Sequence, residues 1–223
     1  MSLTSRRFFG AEKEGVMKPR AISASLLVAS GLLALLFVAV SLNRPAFAAP
    51  AGPASVRRVC AAGCPYVTVQ AAVNAAADGD LIEIATGVYT GVTLINGQRQ
   101  IAYITKSLTL RGGYSADFTA WSPTTYSTTF DAQDAGRVIY AAGNISLTLE
   151  GLRLVNGRHS SSGAGIYAQD ARVQVRDSFI GHNRVTPHFN GNFGVGLYIA
   201  KGALIMQDSI VQENEPLPGG DSS

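Results

Sequence analysis

Gly163-Ala164-Gly165-Ile166-Tyr167-Ala168 and Gly194-Val195-Gly196-Leu197-Tyr198-Ile199 are one motif written twice. After each tyrosine comes an alternating stretch, Val173-Gln174-Val175-Arg176-Asp177-Ser178-Phe179-Ile180 in the first copy and Leu204-Ile205-Met206-Gln207-Asp208-Ser209-Ile210-Val211 in the second. The copies close at Asn183 and Asn214, and a degenerate third lies upstream at Leu147-Thr148-Leu149-Glu150-Gly151-Leu152-Arg153-Leu154. Register to register, they sit 26 and then 31 residues apart. Periods of this size mark a solenoid, in which a unit buries its apolar face only by stacking on its neighbours.

The unit is made of strands. Val173 and Val175 alternate with Gln174 and Arg176, a period of two that sends alternate side chains to opposite faces. Gly, Asn and Ser break the runs and supply turns. The expected class is all-β: a right-handed parallel β-helix, or solenoid, with a short N-terminal capping helix.

That helix is read over residues 68–77. Thr68 caps it, and Val69, Ala72, Val73 and Ala76 make one apolar face. Laid across the end of a strand stack, it would hide unpaired edges. The linker before Gly163 spans 158–162 and the one before Gly194 spans 184–193, five residues more, which accounts for the whole change in spacing. Length variation is therefore expected at one corner, where binding residues would be built.

Residues 1–48 read as an export signal, with a tidier start at Met17. Lys18 and Arg20 precede an uncharged apolar run over 21–42, and Ala46-Phe47-Ala48 places cleavage before Ala49. The run is also long enough to span a bilayer, so an uncleaved anchor is the alternative, and the only membrane contact expected. Ser5-Arg6-Arg7-Phe8-Phe9 resembles a twin-arginine signal, against which Glu12 and Glu14 argue.

This segment carries six Lys or Arg against two acids, whereas the rest carries twelve against thirteen. The mature part is thus nearly neutral, which excludes the basic stripe that nucleic-acid binding needs. Cys60 and Cys64 are the only cysteines. Structural zinc wants four ligands, so a disulfide is expected in an exported protein. Residues 49–64 read as a lead-in, 65–214 as the β-helix domain and 215–223 as a tail. No cap motif follows Asn214, so a longer protein, or end-to-end self-association through the last coil, is expected.

Tyr66-x-Thr68-x-Gln70-Ala71-Ala72-Val73, followed by Gly79-Asp80-x-Ile82-x-Ile84 and Gly87-x-Tyr89, resembles the opening of the pectin-lyase-like β-helix proteins. Leu108-Thr109-Leu110-Arg111-Gly112-Gly113-Tyr114 is similar to a segment of exported bacterial members. The Gly-x-Gly-aliphatic-Tyr repeats ending in Asn183 and Asn214 resemble those of polymorphic outer-membrane proteins. Over residues 60–214 the resemblance implies the fold, and it leaves function open because the fold hosts unrelated activities.

Pectate lyases of that superfamily hold calcium on clustered Asp residues. Here Asp177 and Asp208 occupy one repeat position, about 5 Å apart if the coils stack, and are the candidate calcium ligands; no other cofactor is expected. The competing reading turns Asp177 inward, in phase with Val173 and Val175, as a ladder that satisfies turn backbone. Gly151 denies the pair a third acid, and no catalytic set is assembled. Glu150 and Arg176 align as an exposed ion pair.

Binding residues are sought at the variable corner, where Arg158 and His159 face Arg184, His188, Phe189, Asn190, Asn192 and Phe193, a mixture suited to a glycan or an acidic partner. Tyr167 and Tyr198 should stack as neighbours or offer a sugar platform. The expected function is a secreted or cell-surface module, non-catalytic and glycan-binding in the manner of an adhesin. The alternative is a carbohydrate-active lyase or hydrolase acting on polysaccharide.

Overall fold

The computed structural model describes residues 55–186 and 194–217. The chain forms a mostly β, parallel solenoid of about five turns with one short helix near its N-terminal part. β1 (Val56–Val59) leads into α1 (Val69–Ala75), and then come β2 (Leu81–Ala85) and β3 (Gly87–Tyr89). A hairpin of β4 (Thr93–Ile95) and β5 (Gln98–Ile104) follows, closed by Asn96-Gly97 with both residues at positive φ. The next coil holds β6 (Leu108–Tyr114), β7 (Thr128–Asp131) and the start of β8 (Arg137–Glu150).

From β8 onward the repeat is regular. β9 (Leu152–Val155) and β10 (Arg158–His159) complete one coil. β11 (Ile166–Arg176), β12 (Phe179–Gly181) and β13 (Arg184–Val185) make the next, and β14 (Leu197–Ala200), β15 (Ala203–Gln207), β16 (Ile210–Gln212) and β17 (Glu215–Pro216) the last described. β8 and β11 bend within their length at Gly143 (φ 98°) and Asp170 (φ 55°), so each serves two faces. The first face stacks β5, the first halves of β8 and β11, and β14. The second stacks β1, β2, β6, the second halves of β8 and β11, and β15. The third is β3-β7-β9-β12-β16 and the fourth β10-β13-β17.

Parallel register makes each residue the neighbour of its counterpart one coil away. Inside, Ile82, Leu110, Leu149, Val175 and Met206 form one column, and Leu108, Leu147, Val173 and Leu204 another. Ile82, Leu110, Leu149, Val173 and Val175 are fully buried. Each such side chain contributes about 1.5–3 kcal/mol. The expected helix is present but shorter, ending at Ala76 because that residue turns extended (ψ 152°). Thr68 accepts from the Ala71 amide, and Val69, Ala72, Val73 and Ala76 are buried as the periodicity predicts. Cys60 and Cys64 form the disulfide.

Outside, Arg58, Glu83, Arg111, Glu150, Arg176 and Gln207 align down the second face. The ion pair expected between Glu150 and Arg176 is not the one made. Glu150 takes Arg111 instead, with Nε to Oε2 at 2.6 Å, and Arg176 Nε donates to the Gln207 side chain at 2.9 Å. One carboxylate flanked by two cations pairs with one and leaves the other to an amide.

An asparagine ladder holds the corner between the third and fourth faces. Asn183, fully buried, accepts from the Gly157 amide at 2.7 Å and donates to the Leu154 carbonyl and to Asn214 Oδ1. Asn214 repeats the pattern, donating to the carbonyls of Ile180 and Gln212. Truncating Asn183 leaves several buried groups without partners, whereas Asn214 is partly exposed. Asn183→Ala should therefore cost about 3 kcal/mol in denaturant unfolding, and Asn214→Ala about 1 kcal/mol. Equal costs would show that the Asn183 bonds do not hold the corner.

Candidate functional site

The corner between the second and third faces carries a long departure from the repeat. In the later coils it is a single tight turn, formed by Gly151 (φ 64°), Asp177 (φ 47°) and Asp208 (φ 49°). Asp tolerates this left-handed backbone better than most residues do. In the β6 coil residues 115–127 are inserted there, so length variation is not confined to the corner that the sequence singled out.

The insertion is a tied structure. Asp117 Oδ1 accepts from Ser115 Oγ at 2.6 Å and from Thr119 Oγ1 at 2.8 Å, and these bonds hold its carboxyl at about 2. The Ser115 amide bonds the Ala120 carbonyl, and the Ser122 amide bonds that of Gly113. Trp121 Nε1 donates to the Gly112 carbonyl at 2.9 Å, which fixes the indole while 44% of the residue stays exposed. The backbones come close because Gly112 has no side chain: a Cβ there would lie 2.6 Å from the Gly151 carbonyl oxygen.

Against this wall lies a groove of about 590 Å³ running along the later coils. Trp121 and Pro123 form one side; Leu152, Arg153, Phe179 and Ile210 form the other, with Asp177 and Asp208 along it. Arg153 sits over the Phe179 ring at 4.3 Å. Asp177 is exposed to the groove rather than turned inward. Its left-handed backbone breaks the alternation, so the inward position passes to Ser178. Ser178 Oγ accepts from the Leu152 amide and donates to the Arg176 carbonyl; Ser209 does the same one coil on, and two coils before Ser178 the Thr128 Oγ1 accepts from the Gly113 amide. Among the described residues no group of three or more His, Cys, Asp or Glu side chains comes together to hold a metal.

Of the residues sought at the variable corner, Arg158 and Arg184 lie in register, both exposed, with His159 beside Val185. His188, Phe189, Asn190, Asn192 and Phe193 lie outside the described residues. His159 folds back on its own loop, where its Nδ1 meets the Ser161 amide and hydroxyl at 3.0 Å.

Tyr167 and Tyr198 stack as expected at 5.5 Å, and the column extends through Tyr140 and Tyr103 at 5.2 and 5.1 Å. Tyr140 and Tyr167 each have a ring on both sides, which removes the faces a sugar would use. The column stiffens the first face and presents ring edges to solvent.

Sequence reading missed Trp121, Phe179 and Arg153. The available signal was the chain's sole tryptophan, set in a stretch without alternation between two clear strands. Comparison with family models, characterised proteins and solved structures finds no match to this chain.

Burial and the Arg137 charge push His159 down to about 4 from 6.5. A base with a depressed folded pKa is protonated first in the unfolded chain. The stability it contributes is complete above 6.5 and lost as the pH falls toward 4. Unfolding midpoints should drop across that interval, and His159→Gln should flatten the drop. An unchanged slope in the variant would refute this origin.

Proposed function

We propose that this protein is an exported β-solenoid module, secreted or held at the cell surface, that binds a polysaccharide along the groove beside Trp121 without cleaving it. One observation carries the reading: a rigidly anchored, half-exposed indole faces a groove that also offers two carboxylates, a guanidinium and a second aromatic ring. Glycan recognition uses this combination, with apolar sugar faces meeting aromatic rings and hydroxyls meeting planar polar groups. A groove lined by residues of successive coils, from Gly151 and Leu152 through Asp177 and Phe179 to Asp208 and Ile210, suits a polymer better than a small metabolite.

Export is supported by the Lys-flanked apolar segment and the Ala46-Phe47-Ala48 site, and by the disulfide. Kinship with the pectin-lyase-like proteins is supported by the motifs over residues 60–214 and by the parallel-solenoid fold. The second reading, a polysaccharide lyase or hydrolase, is favoured by Asp177 and Asp208 lying one coil apart in the same groove. Against it, Gly151 stands where a third acid would complete the set.

Trp121→Ala should abolish retardation in affinity electrophoresis through immobilised polysaccharide, with the melting temperature shifted by under about 2 °C. Retained binding in a folded variant would remove the groove from the account. Release of oligosaccharide or of an unsaturated product, lost in Asp177→Asn, would replace the module with the enzyme.

A further inference from the structure

Arg137 opens the first face of its coil and is 2% exposed. Burying a guanidinium costs several kcal/mol unless an opposite charge accompanies it. None of the four ion pairs among the described residues includes Arg137. Its partners are neutral: Nη1 donates to Gln98 Oε1 at 2.7 Å, and Nη2 to Ser161 Oγ at 3.0 Å and the Ser162 carbonyl at 3.2 Å. The Tyr167 and Tyr140 rings lie 4.6 and 5.8 Å from the guanidinium carbon. Nε is buried with no hydrogen-bond partner among the described residues.

Gln100 is the register neighbour of Arg137 on β5, so the two side chains leave the sheet on the same side, about 5 Å apart at their bases. Gln100 is fully buried, and both polar atoms of its amide are also without partners among the described residues. Two adjacent buried groups thus offer unused N–H donors, one of them on a cation with no counter-charge. A water molecule could accept those bonds but would leave the charge uncompensated. Burial draws the Arg137 guanidinium down to about 10, against a small opposing pull from Tyr167 and Tyr140. His159, depressed to about 4, adds no second positive charge at neutral pH.

We propose that Arg137 Nε and the Gln100 amide hold a small monovalent anion, of which chloride is the natural representative, beneath the tyrosine column. The anion neutralises Arg137 and ties down the corner loop that Arg137 grips through Ser161 and Ser162. The site is separate from the Trp121 groove and does not depend on glycan binding there.

The test is the melting temperature of the full chain in sodium chloride against sodium gluconate at equal ionic strength, gluconate being too large to enter. Chloride should raise it saturably by several degrees. Gln100→Leu, which keeps the volume and removes the donor, should weaken the apparent chloride affinity about tenfold. In crystals grown with bromide, an anomalous peak should lie within hydrogen-bonding distance of Arg137 Nε. Equal melting in the two salts would overturn the assignment. So would a Gln100→Leu variant with unchanged chloride response, or bromide-grown crystals without that peak, which would assign the space to water.

Discussion

Everything in this chain depends on parallel strands stacking in register, one coil upon the next, at a spacing near 4.8 Å. At that distance a residue's principal neighbour is its own counterpart. Side chains must be compatible with themselves: leucine on leucine, tyrosine on tyrosine, asparagine bonding asparagine. Unlike partners are needed only where like would repel, as in the Arg58–Glu83 and Arg111–Glu150 pairs. Corners are the difficult points, since the backbone leaves the ladder there, and buried Asn183 and Ser178 supply what it lost.

This constraint also decides where function can be placed. A substitution on a face is felt by two neighbouring coils, whereas an insertion at a corner leaves the register alone. Residues 115–127 exploit that freedom. They fold on their own hydrogen bonds around Asp117, seat Pro123 over the glycine turn and hold Trp121 at the edge of a groove. The later coils supply the opposite wall through repeated Asp, Ser and aliphatic positions. Scaffold and binding surface are therefore made by the same repeat, with one insertion added.

The repeat itself was legible, because a period of two and a recurrence after 26 and 31 residues are properties of sequence alone. The helix, its cap and the Asn corners were legible for the same reason. Orientation at the turns was not. Alternation carried past Arg176 turns Asp177 inward, but one left-handed residue resets the phase and hands the inner place to Ser178. Pairing along the second face was not legible either, since Glu150 lies between Arg111 and Arg176 and only geometry chooses. The groove escaped notice because one wall lies outside the repeat, and Trp121 comes to line one groove with Phe179 and Asp208 only once the coils are stacked.

The central functional claim is that a glycan lies along the Trp121 corner. Its most direct test is a solution NMR titration of the isotope-labelled protein with an oligosaccharide cut from a polysaccharide that the protein retains. The account predicts shifts at the Trp121 indole N–H and at the backbone amides of Leu152, Arg153, Phe179 and Ile210, with the tyrosine column unmoved. Shifts concentrated at Arg158, His159 and Arg184 with the indole signal unchanged would contradict it, and would move the binding surface to the opposite corner.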